Sequence, residues 1–451
     1  MKILITLKDI TEGGGGERVG ANLANAFAQD LGYEVRIISF FRTHKTPIYP
    51  LDLRISCVYL CDTKAKSKNP LRTLFHKSIL RVIFCLKTHK IARQTNADIV
   101  LANDGWFIPL FKRKSRDFKP LFVRLWHLQA PKKARRKLRY FDTLVVLSSR
   151  ELPTWQRYHS NVRVIPNFIP QIPQQSTNHA QKVVLSVGRM DNGDQKGFLR
   201  LIDIWKIVQE MIKSSLPCVR VVQEVGKNPQ NKADFTKDFT HSTPPLAPPA
   251  RGGGQKKSLS LTEDSHKNSP SLAEGDKGGG FDSANIDCHD FTAVKSRNDK
   301  EDLAEWKLAI VGDGILKSEI QAKIHSLNLQ DSIILKPFTK DIECEYLGAS
   351  IYAMSSHFEG FGMVLAEASS YALPCIAFDI ATGPSDIIAH NKSGYLIADN
   401  DLESYAKHLI ALMSDENLRM RFGAESKRLV SEKFSQSVVI QKWQELLENK
   451  E

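Results

Sequence analysis

The chain has 451 residues, 42% of them hydrophobic and 25% charged, which is enough for about two to three soluble domains and excludes a fibrous or wholly disordered protein. Its 63 Lys and Arg residues against 50 Asp and Glu residues give a formal net charge of +13, which suits a phosphorylated substrate, an anionic membrane surface or a nucleic acid. We expect a cytoplasmic protein with reduced thiols, because the seven cysteines form no zinc cluster, no apolar run could cross a bilayer, and no secretion signal is visible.

The first third of the chain alternates apolar runs with helical patterns. Residues 2–7 are apolar, a glycine-rich turn follows, residues 19–31 have helical periodicity, and residues 35–40 are apolar again, which is a β-α-β unit. Further strand-like runs lie at 98–102, 121–126, 143–147 and 162–165. This alternation predicts a parallel sheet covered by helices on both faces. We therefore expect a doubly wound, Rossmann-like N-terminal domain of residues 1–168.

A proline-rich polar stretch at 166–178 separates this domain from a second α/β series. The strand-like runs of the second series lie at 182–187, 307–311, 332–335, 350–354, 374–378 and 395–397. We place a linker at 169–179 and a second Rossmann-like domain at 180–434. Clefts between two such domains bind ligands. The predicted fold class is therefore α/β, with two facing doubly wound domains.

The segment from about 214 to 302 interrupts the second series. It is polar and rich in Gly, Pro, Ser and Lys, and the spacing Leu-Ala-x4-Gly-Gly-Gly occurs twice, at 246–254 and at 272–280. A segment of this composition buries too little apolar surface to offset the entropy lost on ordering. We predict a disordered insertion, remote from the ligand-binding strand ends; a regulatory or partner-binding segment is the alternative.

Four glycines at 13–16 lie between the first strand and the first helix. Glycines allow the backbone to approach a ligand, and the start of the helix offers N–H groups to an anion. The dinucleotide fingerprint is incomplete, because no acid follows the second strand in Ser39–Arg42, and dinucleotide binding is disfavoured. A flexible turn without a ligand is the alternative.

A second strand-to-helix turn carries Arg189 and Lys196. Two cations and the start of a helix at one point would suit a diphosphate. The alternative is that both side chains belong to a solvated surface.

The third motif is SHFEGFGMVLAE, residues 356–367, in which seven residues separate Glu359 from Glu367. We predict a strand before it, a turn up to residue 362 and a helix from residue 363, which would direct free N–H groups of residues 361–364 into the cleft. The two acids then bracket an anion site, which suits hydroxyl binding at both ends of a nucleotide sugar better than acid–base catalysis. The alternative is that they only complement the helix dipole.

Together with WKLAIVGDGILKSEI at 306–320 and ATGPSDII at 381–388, these motifs resemble the retaining glycosyltransferases of family 4, which have the GT-B fold of two facing Rossmann-like domains. The resemblance covers nearly the whole chain apart from the insertion. Within the family, the chain is most similar to bacterial enzymes that assemble exopolysaccharide, lipopolysaccharide or lipid-linked oligosaccharides.

The resemblance implies roles for the matching residues. Glu359 would bind the hydroxyls of the donor sugar, Glu367 the ribose of the nucleotide, and Arg189 with Lys196 the diphosphate. His127, which follows a middle strand of the first domain, would orient or polarise the donor near its reacting carbon, so we assign His127 and Glu359 as catalytic; a structural histidine is the alternative. The backbone that lines the donor site would come from Gly15, Gly16, Gly360, Phe361, Gly362, Met363 and Val364.

The resemblance also implies that no metal or other cofactor is needed, and that a C-terminal helix within residues 435–451 packs back on the N-terminal, acceptor-binding domain. A helix predicted at 72–92 mixes apolar residues with Arg and Lys and could lie on an anionic membrane; the alternative is a helix packed by its apolar face. No nucleic-acid motif accompanies the basic charge.

We therefore expect a retaining enzyme that moves a hexose-type sugar from a nucleotide-diphosphate sugar, UDP-linked, to a lipid-linked or polysaccharide acceptor, at the inner face of the cytoplasmic membrane. Two alternatives remain. One is a nucleotide-sugar 2-epimerase of the same fold, for which we identify no additional acid–base groups. The other is a non-catalytic scaffold of a polysaccharide assembly complex, whose insertion recruits partners.

Overall fold

The computed structural model describes residues 1–62, 70–109, 118–128, 136–214 and 297–448. They form two parallel β-sheets flanked by helices, as the fold class requires. The predicted insertion at 214–302 lies outside the described residues except at its two ends. At its second end the described chain resumes with a helix over Arg297–Ala304.

The first sheet contains seven strands. They are β1 Lys2–Leu7, β2 Glu34–Ser39, β3 Ser56–Tyr59, β4 Ile99–Ala102, β5 Leu121–Trp126, β6 Thr143–Val146 and β7 Val162–Val164. Their spatial order is β3-β2-β1-β4-β5-β6-β7, with every neighbouring pair parallel. The strand order reverses between β1 and β4. Open α/β sheets bind ligands at such a reversal point, beside the carboxyl ends of the two strands.

The helices of this half are α1 Gly15–Gln29, α2 Pro70–Gln94 and α3 Leu152–Gln156, with a short 3-10 helix at Arg136–Tyr140. Side chains of β1 alternate between two cores: Ile3 and Ile5 join the cluster that contains Phe27 of α1, and Leu4 joins the cluster that contains Phe84 of α2. Burial on both faces explains why the strands of this sheet appear as continuous apolar runs in the sequence.

The second sheet has the spatial order β10-β9-β8-β11-β12-β13, again all parallel. Its strands are β8 Val183–Val187, β9 Lys307–Val311, β10 Ile333–Lys336, β11 Ile351–Met354, β12 Cys375–Asp379 and β13 Gly394–Ala398. The remaining helices are α4 Phe198–Ser214, α5 Arg297–Ala304, α6 Lys317–Ser326, α7 Ile342–Leu347, α8 Met363–Ser370, α9 Pro384–Ile387, α10 Leu402–Ser414, α11 Glu416–Phe434 and α12 Gln436–Glu448. Here the order reverses between β8 and β11.

The chain passes between the two sheets twice. The segment from β7 to β8 has no regular element and is fixed to α11, because the Lys427 ammonium donates to the carbonyls of Pro173 and Gln175. The return passage leads into α12, whose Trp443 packs edge-on against Phe27 of α1 with ring centroids 5.8 Å apart. The last described helix therefore completes the core of the first sheet. No helix in the described part of the chain is long and apolar enough to span a membrane.

Candidate functional site at the facing sheet edges

Three turns converge at the carboxyl ends of central strands. Lys196 follows β8 and Glu359 follows β11, the two neighbouring strands at which the order of the second sheet reverses. His127 follows β5 of the first sheet. The structure thus brings residues that are 69 to 232 positions apart in the chain to one place, as the sequence predicts.

Lys196 and Glu359 form a nearly buried ion pair. The Lys196 Nζ lies 2.6 Å from Oε1 of Glu359, and the Ser356 hydroxyl donates to the same oxygen at 2.7 Å. Only 8% of the Glu359 side chain is exposed. A carboxylate has about four acceptor positions. The pair therefore fixes the orientation of the carboxylate and still leaves capacity for the hydroxyls of a ligand.

Arg200 holds the turn that carries Glu359, a role that no sequence motif indicates. Its buried guanidinium donates to the carbonyls of Ser355 and Ser356, pairs with Asp399 at 2.9 Å and stacks on Phe378. The first turn of α4 thereby fixes the backbone of the Glu359 motif. The sequence gives no sign of this role, because it depends on which strands are neighbours.

Gly360 is in contact with His127. A Cβ placed on Gly360 would overlap the carbonyl oxygen of His127, so only glycine allows the two backbones to approach this closely. The residue predicted to act on the donor from the first domain therefore touches the motif of the second domain.

The ring of His127 has a defined tautomer. Its Nε2 lies 2.9 Å from Oδ1 of Asn103, and the Asn103 amide donates to the carbonyl of Gly16 at 2.8 Å, so Oδ1 is the acceptor and Nε2 carries the proton. Burial and the nearby charge of Arg124 lower the pKa of His127 to about 4. The ring is neutral near pH 7, and its Nδ1 is an acceptor.

Glu367 is also buried, with 11% of its side chain exposed. Its Oε1 lies 2.7 Å from the guanidinium of Arg18 in α1, and its Oε2 accepts from the hydroxyl of Tyr346 at 3.2 Å. Burial raises the pKa of Glu367, and Arg18 and Tyr346 oppose that rise. Arg18 lies in the glycine-rich motif, but its contact with Glu367 depends on the apposition of the two sheets.

The three helices that start at these edges differ in what occupies their first turns. α1 carries Glu17 in its first turn, and Gly15 and Gly16 belong to the helix itself instead of a preceding loop. α4 is capped by Asp194, whose carboxylate accepts from the N–H groups of Phe198 and Leu199. α8 has neither an acid in its first turn nor a side-chain cap. The α8 start is therefore the one best able to accept an anion.

The predicted role of Arg189 and Lys196 in binding the diphosphate stays a prediction, but it does not involve the start of α4. The start of α4 is not available to a diphosphate, because Asp194 already satisfies its N–H groups. The Lys196 ammonium turns to Glu359, whereas Arg189 is largely exposed and lies 3.1 Å from Asp191. The two cations are therefore not directed at one point.

The predicted backbone segment at the α8 start is in place. Gly362 is the N-cap residue, and its φ of 87° is readily adopted by glycine. Leu365 and Ala366 donate back to the Gly362 carbonyl, so the N–H groups of Gly362, Met363 and Val364 precede the bonds within the helix. The side chain of Phe361 points away, into the core against Phe434. In the described ranges, no three His, Cys, Asp or Glu side chains are grouped to hold a metal ion.

Two doubly wound sheets with facing carboxyl edges, and a charged turn at the reversal point of the second sheet, are the architecture of the GT-B fold. Two family models match the chain: the one described as Glycosyltransferase Family 4 matches residues 13–171, and the one described as Glycosyl transferases group 1 matches residues 291–429. Together they span more than half of the chain, which belongs to the family 4-like glycosyltransferases.

Curated relatives match over shorter stretches. The chain is 38% identical over 142 residues to the amylovoran biosynthesis glycosyltransferase AmsD of Erwinia amylovora, an alignment that covers 32% of this chain and 40% of that protein. It is 32% identical over 137 residues to a poly(ribitol-phosphate) alpha-N-acetylglucosaminyltransferase of Staphylococcus aureus, covering 30% of this chain and 28% of that protein. The matched stretches thus span less than half the length of these relatives.

The solved structure of HepE from Anabaena in complex with UDP covers 99% of this chain and 100% of that chain, with a TM-score of 0.62. At 14% sequence identity, this likeness establishes the shared fold.

Proposed function

We propose that this protein is a retaining hexosyltransferase that moves a sugar from a nucleotide-diphosphate sugar, UDP-linked, to a lipid-linked or polysaccharide acceptor of a cell-surface glycan. The observation that supports this most is the α8 start, which lacks a cap and an acid in its first turn and lies between the Lys196–Glu359 pair and Glu367. The names of two relatives, an amylovoran biosynthesis glycosyltransferase and a poly(ribitol-phosphate) alpha-N-acetylglucosaminyltransferase, and the UDP complex of HepE agree with it.

The donor would lie along α8. Its sugar hydroxyls would bind Glu359, and its ribose would bind Glu367. Its diphosphate would accept hydrogen bonds from the backbone N–H groups at 360–364 and pair with the Lys196 ammonium. Gly15 and Gly16 face the donor from the first domain, and Arg189 swings from Asp191 to the diphosphate. We further propose that the domains 1–168 and 180–434 close on the donor about the linker at 169–179, with residues 435–451 remaining on the first domain.

In the transfer, the bond between C1 of the sugar and the diphosphate oxygen breaks, and its electron pair leaves with the diphosphate. The acceptor oxygen bonds to C1 on the same face, and its proton passes to the leaving phosphate oxygen. Lys196 and the α8 start stabilise the charge that develops on the leaving group. His127 is neutral, and its Nδ1 accepts a hydrogen bond from a donor hydroxyl, which orients C1. We propose that these groups suffice without a metal.

The test combines binding with turnover. Purified full-length protein is screened against UDP and GDP sugars for a rise in Tm, and each stabilising donor is then assayed for transfer and for hydrolysis. We expect a UDP sugar to stabilise the protein and to be consumed, with consumption lost in Glu359→Gln. Turnover that persists in Glu359→Gln, or no stabilisation by any sugar nucleotide, would overturn the proposal.

The two alternatives give different outcomes in the same assay. A 2-epimerase would invert C2 of the donor without an acceptor, which NMR of the recovered nucleotide sugar detects. A scaffold would consume no donor, and glycan synthesis in cells would continue with Glu359→Gln.

We also propose that the protein acts at the inner face of the membrane through α2. The exposed fractions of Ile79, Val82, Ile83 and Leu86, which share one side of the helix, are 44%, 42%, 39% and 50%. Phe84 and Cys85 form the buried side, so the aliphatic residues are not the packed face. The exposed cations Lys87, Lys90 and Arg93 lie next to these aliphatic residues, toward the C-terminal end of α2. Exposed aliphatic residues beside cations suit an anionic lipid surface.

Vesicle sedimentation tests this surface. We expect binding to phosphatidylglycerol vesicles that falls in the double variant Val82→Ser/Leu86→Ser and is weak on phosphatidylcholine. Met420→Ser, at an exposed methionine of α11, is the matched control. Equal binding by the double variant would contradict a membrane role for α2.

A further inference from the structure

Arg18 and Glu367 come from different halves of the molecule. Arg18 lies in the first turn of α1, beside the first sheet, and Glu367 lies in α8, beside the second. Their side chains meet at 2.7 Å. The carboxylate proposed to bind the ribose is thus held by a cation of the opposite domain.

The position of Glu367 makes this cation important. Glu367 has 11% of its side chain exposed, and its carboxylate touches only two polar groups among the contacts described, the Arg18 guanidinium and the Tyr346 hydroxyl. A buried carboxylate without a cation tends to take up a proton, because burial disfavours its charged form. The vicinal hydroxyls of a ribose donate their hydrogens, and an ionised carboxylate accepts them more strongly than a protonated one.

On the basis of the proposed function, we infer that Arg18 is a positioning residue of the donor site. It holds Glu367 ionised and oriented for the ribose. Nucleotide affinity therefore depends on the approach of the first domain. Tyr346 uses one acceptor position on Oε2 of Glu367, whereas Arg18 pairs with Oε1 through charge and without a hydrogen bond of regular geometry, so acceptor positions remain for a diol while Arg18 stays in place. The donor thus binds best when the two domains face one another.

The pH dependence follows from the groups around Glu367. Burial raises its pKa, and Arg18, Tyr346 and Lys196 oppose that rise. The ionised form binds the ribose, so affinity is present above the pKa of Glu367 and is lost as the pH falls through it. Removing Arg18 raises this pKa further and moves the loss of affinity to higher pH. Three further tyrosines interact electrostatically with Glu367 and are neutral below about pH 9: Tyr49, Tyr352 and Tyr371.

The experiment measures UDP binding to full-length protein by calorimetry from pH 5 to pH 9, with GDP in parallel, because the base plays no part in the contact. For Arg18→Met, we expect about tenfold weaker binding at pH 7 and a midpoint of the pH dependence about one pH unit higher. Arg18→Lys should recover part of both effects. In Glu367→Gln only the pH dependence of the UDP terminal phosphate, which takes up a proton at about pH 6, should remain, and adding Arg18→Met should weaken binding little further. In turnover, Arg18→Met should raise KM more than it lowers kcat.

Arg150→Met is the matched control, because Arg150 forms a second ion pair between the same two halves, with Asp379, and leaves Glu367 untouched. We expect it to leave the pH midpoint in place. Tighter UDP binding by Arg18→Met would overturn the inference, since Arg18 would then block the ribose site, and so would an unchanged pH midpoint. If the wild-type protein binds neither nucleotide, the proposed function fails and this inference with it.

Discussion

The turns after β8 and after β11 have the same local pattern and different electrostatic states. Each leads from a buried parallel strand into a helix at the edge where ligands bind, and each carries charged residues. The α4 start after β8 is closed by Asp194, whereas the α8 start after β11 is open and has the Lys196–Glu359 pair beside it. A strand, a turn and a helix therefore do not define an anion site. The start of a helix can receive the phosphate only where no side chain already accepts from its first N–H groups.

The largest effect is expected from removing the positive charge of Lys196 beside the start of α8. Lys196→Met should lower kcat/KM by about 10²–10³, because the leaving diphosphate loses a nearly dry cation and Glu359 loses its partner. Initial rates with the stabilising UDP sugar measure it. Lys182→Met is the control, since Lys182 forms an exposed pair with Glu305 at the opposite end of β8. Equal losses in both variants would point to general destabilisation.

Gly360→Ala should have the next largest effect. The added methyl group overlaps the His127 carbonyl, so the turn or the facing domain must move, and we expect transfer to fall by about 10–100-fold. Gly105→Ala, where a Cβ meets no atom within 4 Å, should keep near wild-type rates. A fully active Gly360→Ala would mean that the two turns are farther apart during catalysis.

Asp194→Ala frees the N–H groups of Phe198 and Leu199 at the start of α4. We expect a loss of about 1 kcal/mol in unfolding free energy, as for other N-caps, with donor KM changed less than about twofold. Asp401→Ala, which removes a comparable cap from α10, should lower the Tm similarly. If Asp194→Ala strengthens UDP binding markedly, the α4 start is also an anion site and the contrast between the two turns is lost.

Replacing His127 should have a smaller effect, which is a change in how folding stability depends on pH. An exposed histidine gains its proton near pH 6.5. His127 stays neutral down to about pH 4 when folded, so the unfolded chain binds the proton first and stability falls as the pH drops from about 6.5 toward 4. The wild type should therefore lose more Tm between pH 7 and pH 5 than His127→Asn. The variant of the exposed His44, His44→Asn, should behave as wild type.

Metal removal should have the smallest effect, because Lys196 and the α8 start provide the positive charge. We expect the transfer rate to be unchanged after dialysis against EDTA and after Mg²⁺ or Mn²⁺ is restored. A rate that falls with EDTA and recovers with the ion would add a metal to the donor site.

The sequence predicts most of this fold because parallel strands buried on both faces appear as apolar runs. Twelve of the thirteen described strands coincide with such a run. The exception is β3, Ser56–Tyr59, a four-residue edge strand of only partly buried residues. Edge position reduces burial, and the apolar signal is reduced with it.

The candidate site is predictable as a set of positions and not as a set of contacts. Glu359, Glu367 and Lys196 each lie in a recognisable strand-to-helix motif. The roles of Arg18, Asn103 and Arg200 depend on which strands are neighbours and on how the two sheets face one another. No local periodicity carries that information.

The return of α12 to the first sheet has a consequence for synthesis of the protein. Phe27 of α1 is covered by Trp443, and the Tyr33 hydroxyl donates to Glu448, so residues of the first α/β unit find these partners only after both sheets have been synthesised. A nascent chain that has completed the first seven strands still exposes this apolar face. The N-terminal half is thus finished only after the C-terminal half has been made, and a stop codon just before residue 436 would leave the first half without the helix that covers it.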